Sequence, residues 1–500
     1  MLSVIDTRPH PPVPPAMNLT AHVLGRARAP DEKPALVILH SDRDETLTYA
    51  RLQALVLGCA RHLFTLGLAP GDRILMRLGN GPAFPIVFLG AIAAGLVPVP
   101  TSAALTVAEI TRLAGLVGPR LIVAEPGIAL PQGEIATIAP DLALWEAMPP
   151  LPPVAADPET EAYVIFTSGT SGRPAAVSHA HRAILARQPM HQGWEGLTPE
   201  DRLLHAGAMN WTYTLGTGLL DPWTVGATAL IPAPGTPPAA LPTLLARGAA
   251  TIFAAAPGVF RQMLRAPIPA LPRMRHALSA GEGLPPATRA AWEDATGTRV
   301  HEALGMTEIS TYLSGSPARP ALPGSVGYVQ PGRHVALLGE DGQPVTRGAQ
   351  GELAVATTDP GLMRGYLGAP APQGPWFRTG DMAIMAADGA VTHLGRKDDL
   401  LNAGGFRVSP VEVEAAFEGL PGLLACAATE VEPAPGTKII ALFYEAPCEI
   451  GDALLRRRAE SALARWKQPR HYQHIPALPR TATGKVIRRA LGPLYARPAT

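Results

Sequence analysis

The chain has 500 residues, of which 47% are hydrophobic and 17% are charged, and its formal net charge is +1. This length and composition predict a globular protein with two or more domains and exclude a largely disordered chain. Because charges of both signs are interspersed, no surface for nucleic acid or for an anionic membrane is predicted, and small molecules are the expected partners.

Cysteine usage and apolar runs bear on location. The three cysteines are Cys59, Cys426 and Cys448, which lie far apart in the sequence and in no metal-ligand spacing. This pattern is expected for free thiols in a reducing cytoplasm. The first residues hold Asp6 and several prolines before any apolar run, so no secretory signal is predicted. Prolines break the uncharged stretch from 80 to 105, leaving about a dozen residues where a membrane span needs ~20. We expect a buried helix from Ile86 to Leu96.

Six short apolar segments alternate with helical stretches rich in alanine and leucine. In chain order these predicted strands are 35–39, 73–78, 120–125, 162–167, 227–232 and 250–255. The alternation predicts an α/β fold with a largely parallel sheet buried under helices.

The pattern changes twice toward the C-terminus. Between 325 and 356, closely spaced strands and a tight turn at Glu340-Asp341-Gly342 predict antiparallel pairing. Near Gly395 a shorter α+β unit begins. We therefore expect a large N-terminal domain, 1–395, in which parallel-rich sheets packed with helices accompany an antiparallel barrel-like part. A small mobile α+β domain, 396–500, follows it.

The stretch FTSGTSGRPAAVSHAH, residues 166–181, predicts a strand that ends in a loop of small hydroxylated residues. Hydroxyls and accessible backbone N–H groups in such a loop bind phosphate oxygens without needing a cation. A lysine commonly completes a loop of this kind, but Ala175 and Ala176 stand at its expected place. The nearby His179 and His181 lack a third ligand at zinc spacing and are interpreted as solvated or structural.

Five further motifs follow this loop in a fixed order. They are SAGEGLP (279–285), LGMTE (304–308), FRTGD (377–381), GRKDDLLNAGGFRVSPVEVE (395–414) and PRTATGKVIRRAL (479–491). With the loop, the series resembles the adenylate-forming superfamily of acyl-CoA synthetases, nonribosomal-peptide adenylation domains and luciferases. The resemblance covers nearly the whole chain and is greatest for medium-chain and benzoate-type acyl-CoA ligases.

This resemblance implies a two-step, AMP-forming reaction. ATP and a carboxylic acid give an acyl-adenylate and pyrophosphate, and the thiol of coenzyme A then displaces AMP. ATP, Mg²⁺ and coenzyme A are therefore the expected ligands, and cations and oriented dipoles must converge where the two anions meet. The acid and the oligomeric state stay open, with a homodimer as one candidate.

The resemblance also assigns roles to residues near the nucleotide. Glu308 is expected to hold Mg²⁺, Thr307 to contact the α-phosphate, and Lys485 to contact both the carboxylate and the α-phosphate. Asp381 is expected to accept hydrogen bonds from the ribose, with Arg396 beside it. The other expected nucleotide contacts are Thr167, Ser168, Gly169, Thr170, Ser171, Gly172, Gly281, Glu282 and Gly283.

The acyl and coenzyme A sites are expected on either side of this centre. The segment 193–231 resembles the matching region of medium-chain and benzoate-type ligases. Because 206–220 holds no acidic residue, an amino-acid substrate is disfavoured. An apolar acyl pocket is expected at Trp211, Tyr213, Gly216, Ala280 and Gly305, although core packing is an alternative role for the tryptophan.

The C-terminal unit is expected to move between the two half-reactions. By resemblance, Lys397-Asp398 is the hinge, and Gly404-Gly405 passes along the pantetheine channel, where the absence of side chains makes room.

Two departures from the family pattern leave alternatives open. Ala175 replaces the loop lysine, whose charge-assisted hydrogen bond is worth ~1.5–3 kcal/mol. Leu304 replaces an aromatic residue that stacks near adenine. The alternatives to a coenzyme A ligase are an adenylating enzyme with an amine or carrier-protein acceptor and a non-catalytic nucleotide-binding protein.

Overall fold

The structure is a computed structural model that describes residues 1–26, 30–167, 174–399, 401–403, 406–434, 437–481 and 484–495. Its strands are β1 Val4–Asp6, β2 Pro34–Leu39, β3 Asp44–Thr48, β4 Arg73–Arg77, β5 Val97–Pro100, β6 Leu121–Ala124, β7 Ala136–Ile138, β8 Glu161–Thr167, β9 Ala175–Ala180, β10 Arg202–His205, β11 Thr228–Pro232, β12 Ile252–Ala255, β13 His276–Ala280, β14 Val300–Met306, β15 Ser310–Ser314, β16 Tyr328–Val329, β17 His334–Leu338, β18 Gln350–Ala356, β19 Gly365–Tyr366, β20 Trp376–Met385, β21 Val391–Arg396, β22 Leu401–Ala403, β23 Phe406–Val408, β24 Ala425–Ala434, β25 Thr437–Glu445 and β26 His471–His474. Its α-helices are α1 Leu19–Arg26, α2 Tyr49–Thr65, α3 Ala83–Ala93, α4 Val107–Val117, α5 Leu142–Ala147, α6 Gln188–Gly193, α7 Thr212–Leu215, α8 Asp221–Val225, α9 Leu241–Arg247, α10 Pro257–Met263, α11 Pro286–Thr296, α12 Pro410–Ala415 and α13 Asp452–Ala462.

The predicted parallel architecture is confirmed in two sheets. A nine-stranded sheet has the order β16-β15-β14-β13-β12-β10-β11-β2-β3, and its central strands from β14 to β2 run parallel. A four-stranded sheet, β5-β4-β6-β7, is parallel throughout. All six predicted strands are present. The segment 162–167 departs from the parallel expectation, because β8 pairs antiparallel with β9 across the predicted phosphate loop.

The predicted buried helix is α3, which begins three residues earlier than expected and is buried at every position. Pro85 is tolerated because it lies in the first turn of the helix, where backbone N–H groups have no intrahelical acceptor. Gly95, with φ of +77°, follows the end of the helix. Within the described ranges, no helix combines the length and apolarity needed to cross a membrane.

A third sheet contains the predicted antiparallel region. Its order is β1-β17-β18-β20-β21, and β17 and β18 pair antiparallel as predicted. Between them the backbone N–H of Gly339 donates to the carbonyl of Gln343 at 2.8 Å, and Gly342 takes φ of +77°, which glycine adopts without strain. Strands β20 and β21 of this sheet carry Asp381 and Arg396, which are directly opposite each other.

The C-terminal region has a hydrophobic core of its own. Strands β24, β25 and β26 form one sheet, and the buried side chains of Phe417, Leu442 and Leu455 pack together beneath it. The Arg488 guanidinium donates to both carboxylate oxygens of Glu414 on α12, at 2.9 and 2.7 Å. This ion pair ties the segment that carries Lys485 to the rest of the C-terminal core. The domain boundary at 395/396 stays a prediction.

Candidate active site

The predicted phosphate loop connects the two strands of the β8–β9 hairpin. Thr167 is the last residue of β8 and pairs with Ala175, the first residue of β9. The predicted loop contacts Ser168, Gly169, Thr170, Ser171 and Gly172 lie outside the described residues, as do Gly404 and Gly405 of the predicted pantetheine channel. These contacts therefore stay predictions, although the hairpin fixes both ends of the loop.

Glu308 and Thr307 lie in the turn between β14 and β15. The Glu308 side chain is buried, and its Oε1 accepts a hydrogen bond from the Tyr366 hydroxyl at 2.7 Å. The Thr307 carbonyl accepts a hydrogen bond of 2.8 Å from Nε2 of His179. No lysine or arginine in the described ranges forms an ion pair with Glu308 within 4.0 Å. Among the described residues, no lysine or arginine therefore contacts the Glu308 carboxylate directly.

The two histidines near the loop are structural, and the solvated alternative is wrong. His179 and His181 are both 3% exposed. The ring of His179 stacks on Tyr163 at 4.8 Å between centroids, and Nδ1 of His181 accepts the backbone N–H of Leu19 at 3.1 Å. Burial lowers the pKa of each histidine to about 4. Both imidazoles are therefore neutral near pH 7.

Asp381 is held by groups from its own sheet. Its side chain is buried, its Oδ2 accepts from Arg396 Nη1 at 3.3 Å, and its Oδ1 lies 3.2 Å from His393 Nε2. The backbone N–H of Asp381 donates to Thr379 Oγ1 at 3.1 Å. The predicted neighbours Asp381 and Arg396 are thus in contact, and the carboxylate keeps lone pairs for further donors.

Lys485 lies in a tight turn of the C-terminal region. The backbone N–H of Thr481 donates to the Lys485 carbonyl at 2.8 Å, and the N–H of Lys485 returns a bond of 3.1 Å to Thr481 Oγ1. Gly484 makes this turn possible with φ of +89°. Lys485 is exposed at the surface, and the charged groups that act on its ammonium belong to the N-terminal region.

The surroundings of Lys485 connect the two regions of the chain. Burial lowers the pKa of Lys485, Arg396 lowers it further, and the carboxylates of Glu282, Asp381 and Glu308 oppose this shift by attracting the ammonium. Within the described ranges the ammonium has no ion-pair partner closer than 4.0 Å. The structure therefore brings four predicted site residues into electrostatic reach of Lys485 without using up its charge.

Glu282 is under the electrostatic influence of several cations. Burial raises its pKa, and the positive charges of Arg261, Arg480, Lys485 and Arg488 counteract that rise. Three of these four cations belong to the C-terminal region. Its predicted contact with the nucleotide stays a prediction, and its surroundings favour an electrostatic role at the boundary between the two regions.

The two glycines of the SAGEG segment, Gly281 and Gly283, differ in backbone conformation and in the space beside them. Gly281 takes φ of +101°, a conformation that other residues adopt only with strain, and open space lies where a Cβ would point. A Cβ on Gly283 would come no closer than 4.0 Å to Glu302 Oε1. Ala280 is buried at the end of β13. The segment therefore leaves room beside the backbone at Gly281 and Gly283.

The predicted hinge is linked to the N-terminal sheet. Lys397 Nζ donates to Glu352 Oε2 at 3.3 Å, and the same oxygen accepts two bonds from Arg378, at 2.9 and 2.7 Å. Asp398 is exposed in a short 3₁₀ turn, Lys397–Asp399. The hinge itself stays a prediction.

The predicted acyl-pocket residues Tyr213, Gly305 and Trp211 differ in what their side chains or backbone contact. The hydroxyl of Tyr213 donates to the Leu278 carbonyl at 3.2 Å, and its ring contacts His205 edge-on at 4.3 Å. Gly305 permits close contact between β14 and β15, since a Cβ there would lie 2.6 Å from the carbonyl oxygen of Ser310. Trp211 is half-buried at the start of α7, so full core packing does not describe it.

Gly216 does not have the expected apolar surroundings. A Cβ at this position would lie 2.3 Å from Cζ of Arg187, so the missing side chain makes room for a guanidinium. Arg187 is in turn paired with the buried Asp221. The stretch 206–220 indeed holds no acidic residue, but the first residue after it supplies one.

A comparison with known families matches this architecture. The family model for AMP-binding enzymes covers residues 25–367, more than half of the chain. The chain belongs to the AMP-binding enzyme family. The predicted resemblance to adenylate-forming enzymes is thereby confirmed, and the site residues described above lie in the matched region or C-terminal to it.

Individual relatives cover nearly the whole length of this AMP-binding enzyme. It is 28% identical to the 3-hydroxybenzoate–CoA ligase of Aromatoleum sp. (strain CIB), over 94% of this chain and 95% of that protein. It is 30% identical to the sulfoacetate–CoA ligase of Cupriavidus necator, over 95% of this chain and 97% of that protein. The crystal structure of a benzoate CoA ligase from Burkholderia xenovorans LB400 superposes with a TM-score of 0.86 at 26% identity, covering 95% of this chain and 100% of that one.

Three residues of this AMP-binding enzyme's site were not found from the sequence. Tyr366 donates to Glu308, His393 contacts Asp381, and Arg187 fills the space beside Gly216. Tyr366 and His393 lie in no motif that the sequence analysis used. Arg187 is separated from its partner Asp221 by 34 residues and from Ser310 by 123, so local spacing does not reveal its contacts.

Proposed function

We propose that this enzyme is an AMP-forming carboxylic acid:CoA ligase that acts on an aromatic or medium-chain acid. The observation that carries the proposal is the position of Lys485, a cation from the C-terminal region that is within electrostatic reach of Glu282, Asp381 and Glu308 of the N-terminal region. An arrangement of this kind suits a reaction in which a carboxylate must approach a triphosphate, because a mobile cation offsets the repulsion between two anions.

The first half-reaction assigns each group a task. An oxygen of the acid attacks the α-phosphorus of ATP, the bond to the β-phosphate breaks, and pyrophosphate leaves. Lys485 stabilises the charge that develops on the α-phosphate and holds the attacking carboxylate, while Thr307 contacts the same phosphate. Asp381 accepts hydrogen bonds from the ribose hydroxyls, and Arg396 holds Asp381 in place. The phosphate loop of residues 168–172 grips the outgoing phosphates through its backbone and hydroxyls.

Glu308 has the properties of a magnesium ligand. Hard carboxylate oxygens suit Mg²⁺, and Glu308 is buried, is oriented by the Tyr366 hydroxyl, and has no ion-pair partner in the described ranges. When bound, Mg²⁺ would neutralise charge on the phosphates. Orientation by Tyr366 leaves the second carboxylate oxygen of Glu308 for this ligand.

The second half-reaction transfers the acyl group to sulfur. The thiol of coenzyme A attacks the carbonyl carbon, the bond to the phosphate oxygen breaks, and AMP leaves. We propose that the C-terminal region turns at Lys397-Asp398 between the two steps, so that Lys485 withdraws and Gly404-Gly405 lines the path of the pantetheine arm. Coenzyme A is the proposed acceptor because the relatives named above are coenzyme A ligases.

A pyrophosphate-release assay with a panel of acids, run with and without coenzyme A, tests the proposal. The expected result is acid-dependent pyrophosphate release and one equivalent of acyl-CoA for each AMP formed. Pyrophosphate release without a thioester product would indicate another acceptor. ATP binding in calorimetry without turnover of any acid would instead favour a non-catalytic nucleotide-binding protein. The alanine at position 175, where the family has a lysine, is the reason to make this measurement.

The cytoplasmic location and a homodimer belong to the same proposal. Support for the location comes from Cys59, Cys426 and Cys448, which are all free thiols in the structure. Light scattering coupled to size-exclusion chromatography would test the dimer.

A further inference from the structure

Arg480 contacts the turn that presents Lys485. Its Nη1 donates to the carbonyl of Gly484 at 3.0 Å, and its Nη2 lies 3.6 Å from Oε1 of Glu445, the last residue of β25. The backbone N–H of Leu478 donates to the same Glu445 oxygen at 2.6 Å. The guanidinium therefore joins the residue before Lys485 to the end of a strand in the C-terminal sheet.

The bond to Gly484 acts on the peptide group that precedes Lys485. A peptide group is planar, so its carbonyl oxygen and the N–H of the next residue turn together. In the peptide between Gly484 and Lys485 the oxygen accepts from Arg480, and the N–H donates to Thr481 Oγ1 at 3.1 Å. Both sides of this peptide plane are held, which fixes the direction in which the Cα of Lys485 lies.

Backbone pairing alone gives this turn little support. Arg480 and Val486 form an isolated antiparallel β-bridge, and a backbone bond of 2.8 Å lies on either side of it. A two-stranded hairpin of this size is only marginally stable by itself. Gly484 takes φ of +89° and, without a side chain, changes its backbone conformation at little cost. A guanidinium that bonds the Gly484 carbonyl therefore restrains a residue with unusual backbone freedom.

Apolar packing anchors the chain on the other side of Lys485. Val486 packs against a hydrophobic cluster of the C-terminal region that contains Leu478 and Leu491. Because Val486 directly follows Lys485, the backbone on the C-terminal side of the lysine is fixed by this packing. On the N-terminal side Gly484 has no side chain to pack, and the bond from Arg480 supplies the contact.

A direct effect of Arg480 on Glu282 is the alternative role. Burial raises the pKa of Glu282, and the charges of Arg261 and then Arg480 oppose that rise. No ion pair within 4.0 Å joins Arg480 to Glu282, both of which the structure describes, whereas the contact with Gly484 is a hydrogen bond of ordinary length. The direct contacts therefore favour the Lys485 turn as the group on which Arg480 acts.

We propose that Arg480 is a positioning residue for Lys485 in the first half-reaction. It ties the peptide between Gly484 and Lys485 to Glu445, so that the ammonium reaches the α-phosphate from a fixed backbone position. The inference rests on the proposed function, which gives Lys485 its task, and it adds a residue that acts without touching the substrates. A displacement of about 1 Å at a reacting group costs on the order of a hundredfold in rate, so the loss of this support should be measurable.

Assays of the two half-reactions with Arg480→Met test the inference. The kcat for acid-dependent pyrophosphate release should fall tenfold or more, while the KM for ATP stays within threefold, because the guanidinium contacts the turn and not the nucleotide. Thioester formation from a synthetic acyl-adenylate and coenzyme A should stay within twofold of the unmodified enzyme, since Lys485 acts in the first step only. A fall of less than threefold in pyrophosphate release, or an equal fall in both half-reactions, would overturn the inference.

Two further variants control for charge and folding. Arg480→Lys keeps a cation without the forked donors and should show the same selective loss at a smaller size. It replaces Arg480→Met in every comparison if urea unfolding shows that the methionine variant does not fold. The matched control is Arg456→Met, which removes an exposed arginine of α13 whose ion pair with Asp452, at 3.7 Å, joins residues one helical turn apart. Both half-reactions of this control should stay within twofold.

Double variants identify the group through which Arg480 acts. In a Lys485→Met background, Arg480→Met should slow pyrophosphate release by less than a further twofold, because the ammonium to be positioned is already gone. In a Glu282→Gln background, Arg480→Met should keep its full effect. Effects that multiply in the first background, or an effect that disappears in the second, would overturn the inference and leave the ligase function intact. The absence of pyrophosphate release by the unmodified enzyme with every acid would overturn the ligase function and the inference together.

Discussion

Replacing Lys485 with methionine should slow the first half-reaction strongly and change stability little. Methionine keeps the length and the apolar stem of the side chain and removes only the ammonium. Because no described residue forms an ion pair with that ammonium within 4.0 Å, its removal leaves no protein carboxylate without a direct partner. We therefore expect the free energy of unfolding to change by less than about 0.5 kcal/mol, as for an ordinary surface substitution.

The kinetic effect follows from the charges in the cleft. A unit charge ~6 Å from a developing negative charge contributes roughly 3 kcal/mol at an effective dielectric constant of about 20. A lost charge-assisted hydrogen bond gives a similar figure of ~1.5–3 kcal/mol, and the two estimates describe the same interaction. Glu282, Asp381 and Glu308 also repel the incoming anions once Lys485 no longer offsets them. The lost interaction of ~1.5–3 kcal/mol therefore corresponds to a slowing of about 10- to 160-fold, and the repulsion adds to it.

The assay separates the two half-reactions. Acid-dependent pyrophosphate release reports the first step, and coenzyme A added to a synthetic acyl-adenylate reports the second. Lys485→Met should lose the first activity and retain most of the second. The control is Lys438→Met, because Lys438 is exposed and its 2.6 Å ion pair with Glu430 lies far along the C-terminal sheet. If Lys485→Met released pyrophosphate at more than a third of the unmodified rate, the role given to this ammonium would be wrong.

Three further predictions concern neighbouring groups. Tyr366→Phe removes the hydroxyl that donates to Glu308. It should raise the Mg²⁺ concentration for half-maximal rate several-fold, since a hydrogen bond of this kind is worth ~0.5–1.5 kcal/mol. An unchanged Mg²⁺ titration would contradict the orienting role of Tyr366. Asp381→Asn should raise the KM for ATP roughly tenfold and raise that for 2′-deoxy-ATP less, and equal losses with both nucleotides would argue against a ribose contact. His179 and His181 have a pKa of about 4 in the folded protein. Because the unfolded value is near 6.5, the unfolded chain binds more protons between pH 6.5 and 4, so stability should fall through this window by roughly 1–2 kcal/mol for each histidine at pH 5. Urea unfolding at pH 7.5 and pH 5 measures this loss, and equal stability at both values would refute the assignment.

Local patterns predicted the elements whose geometry depends on neighbouring residues. The strand at 35–39 and the buried helix near Ile86 follow from apolar runs bounded by prolines and glycines. The turn at Gly342 follows from a residue that tolerates a left-handed backbone. The order of the six motifs, through the family resemblance, also predicts that Glu308, Asp381 and Lys485 belong to one site, and this assignment stays a prediction.

The buried ion pair beside the predicted acyl pocket, Arg187 with Asp221, could not be predicted in the same way. A search of 206–220 for acidic residues ends immediately before Asp221, and nothing local connects that aspartate with Arg187. Their pairing arises because the segment after β9 packs against the segment after α7, which is a consequence of tertiary structure. Gly216 was interpreted as space for a substrate, and the structure shows a guanidinium within that space.

The link between Lys397 and Glu352 has a consequence for motion about the proposed hinge. If the C-terminal region rotates, Lys397 must leave Glu352, but Arg378 lies on the same strand as Asp381 and remains bonded to that oxygen. The Glu352 carboxylate would therefore keep Arg378 as its partner throughout the rotation, and no unpaired carboxylate would be left at the hinge. The electrostatic cost of rotation should therefore arise at Lys485, far from the hinge, because its ammonium must move away from three carboxylates. The release of pyrophosphate, which removes further negative charge, is the event that would change this cost.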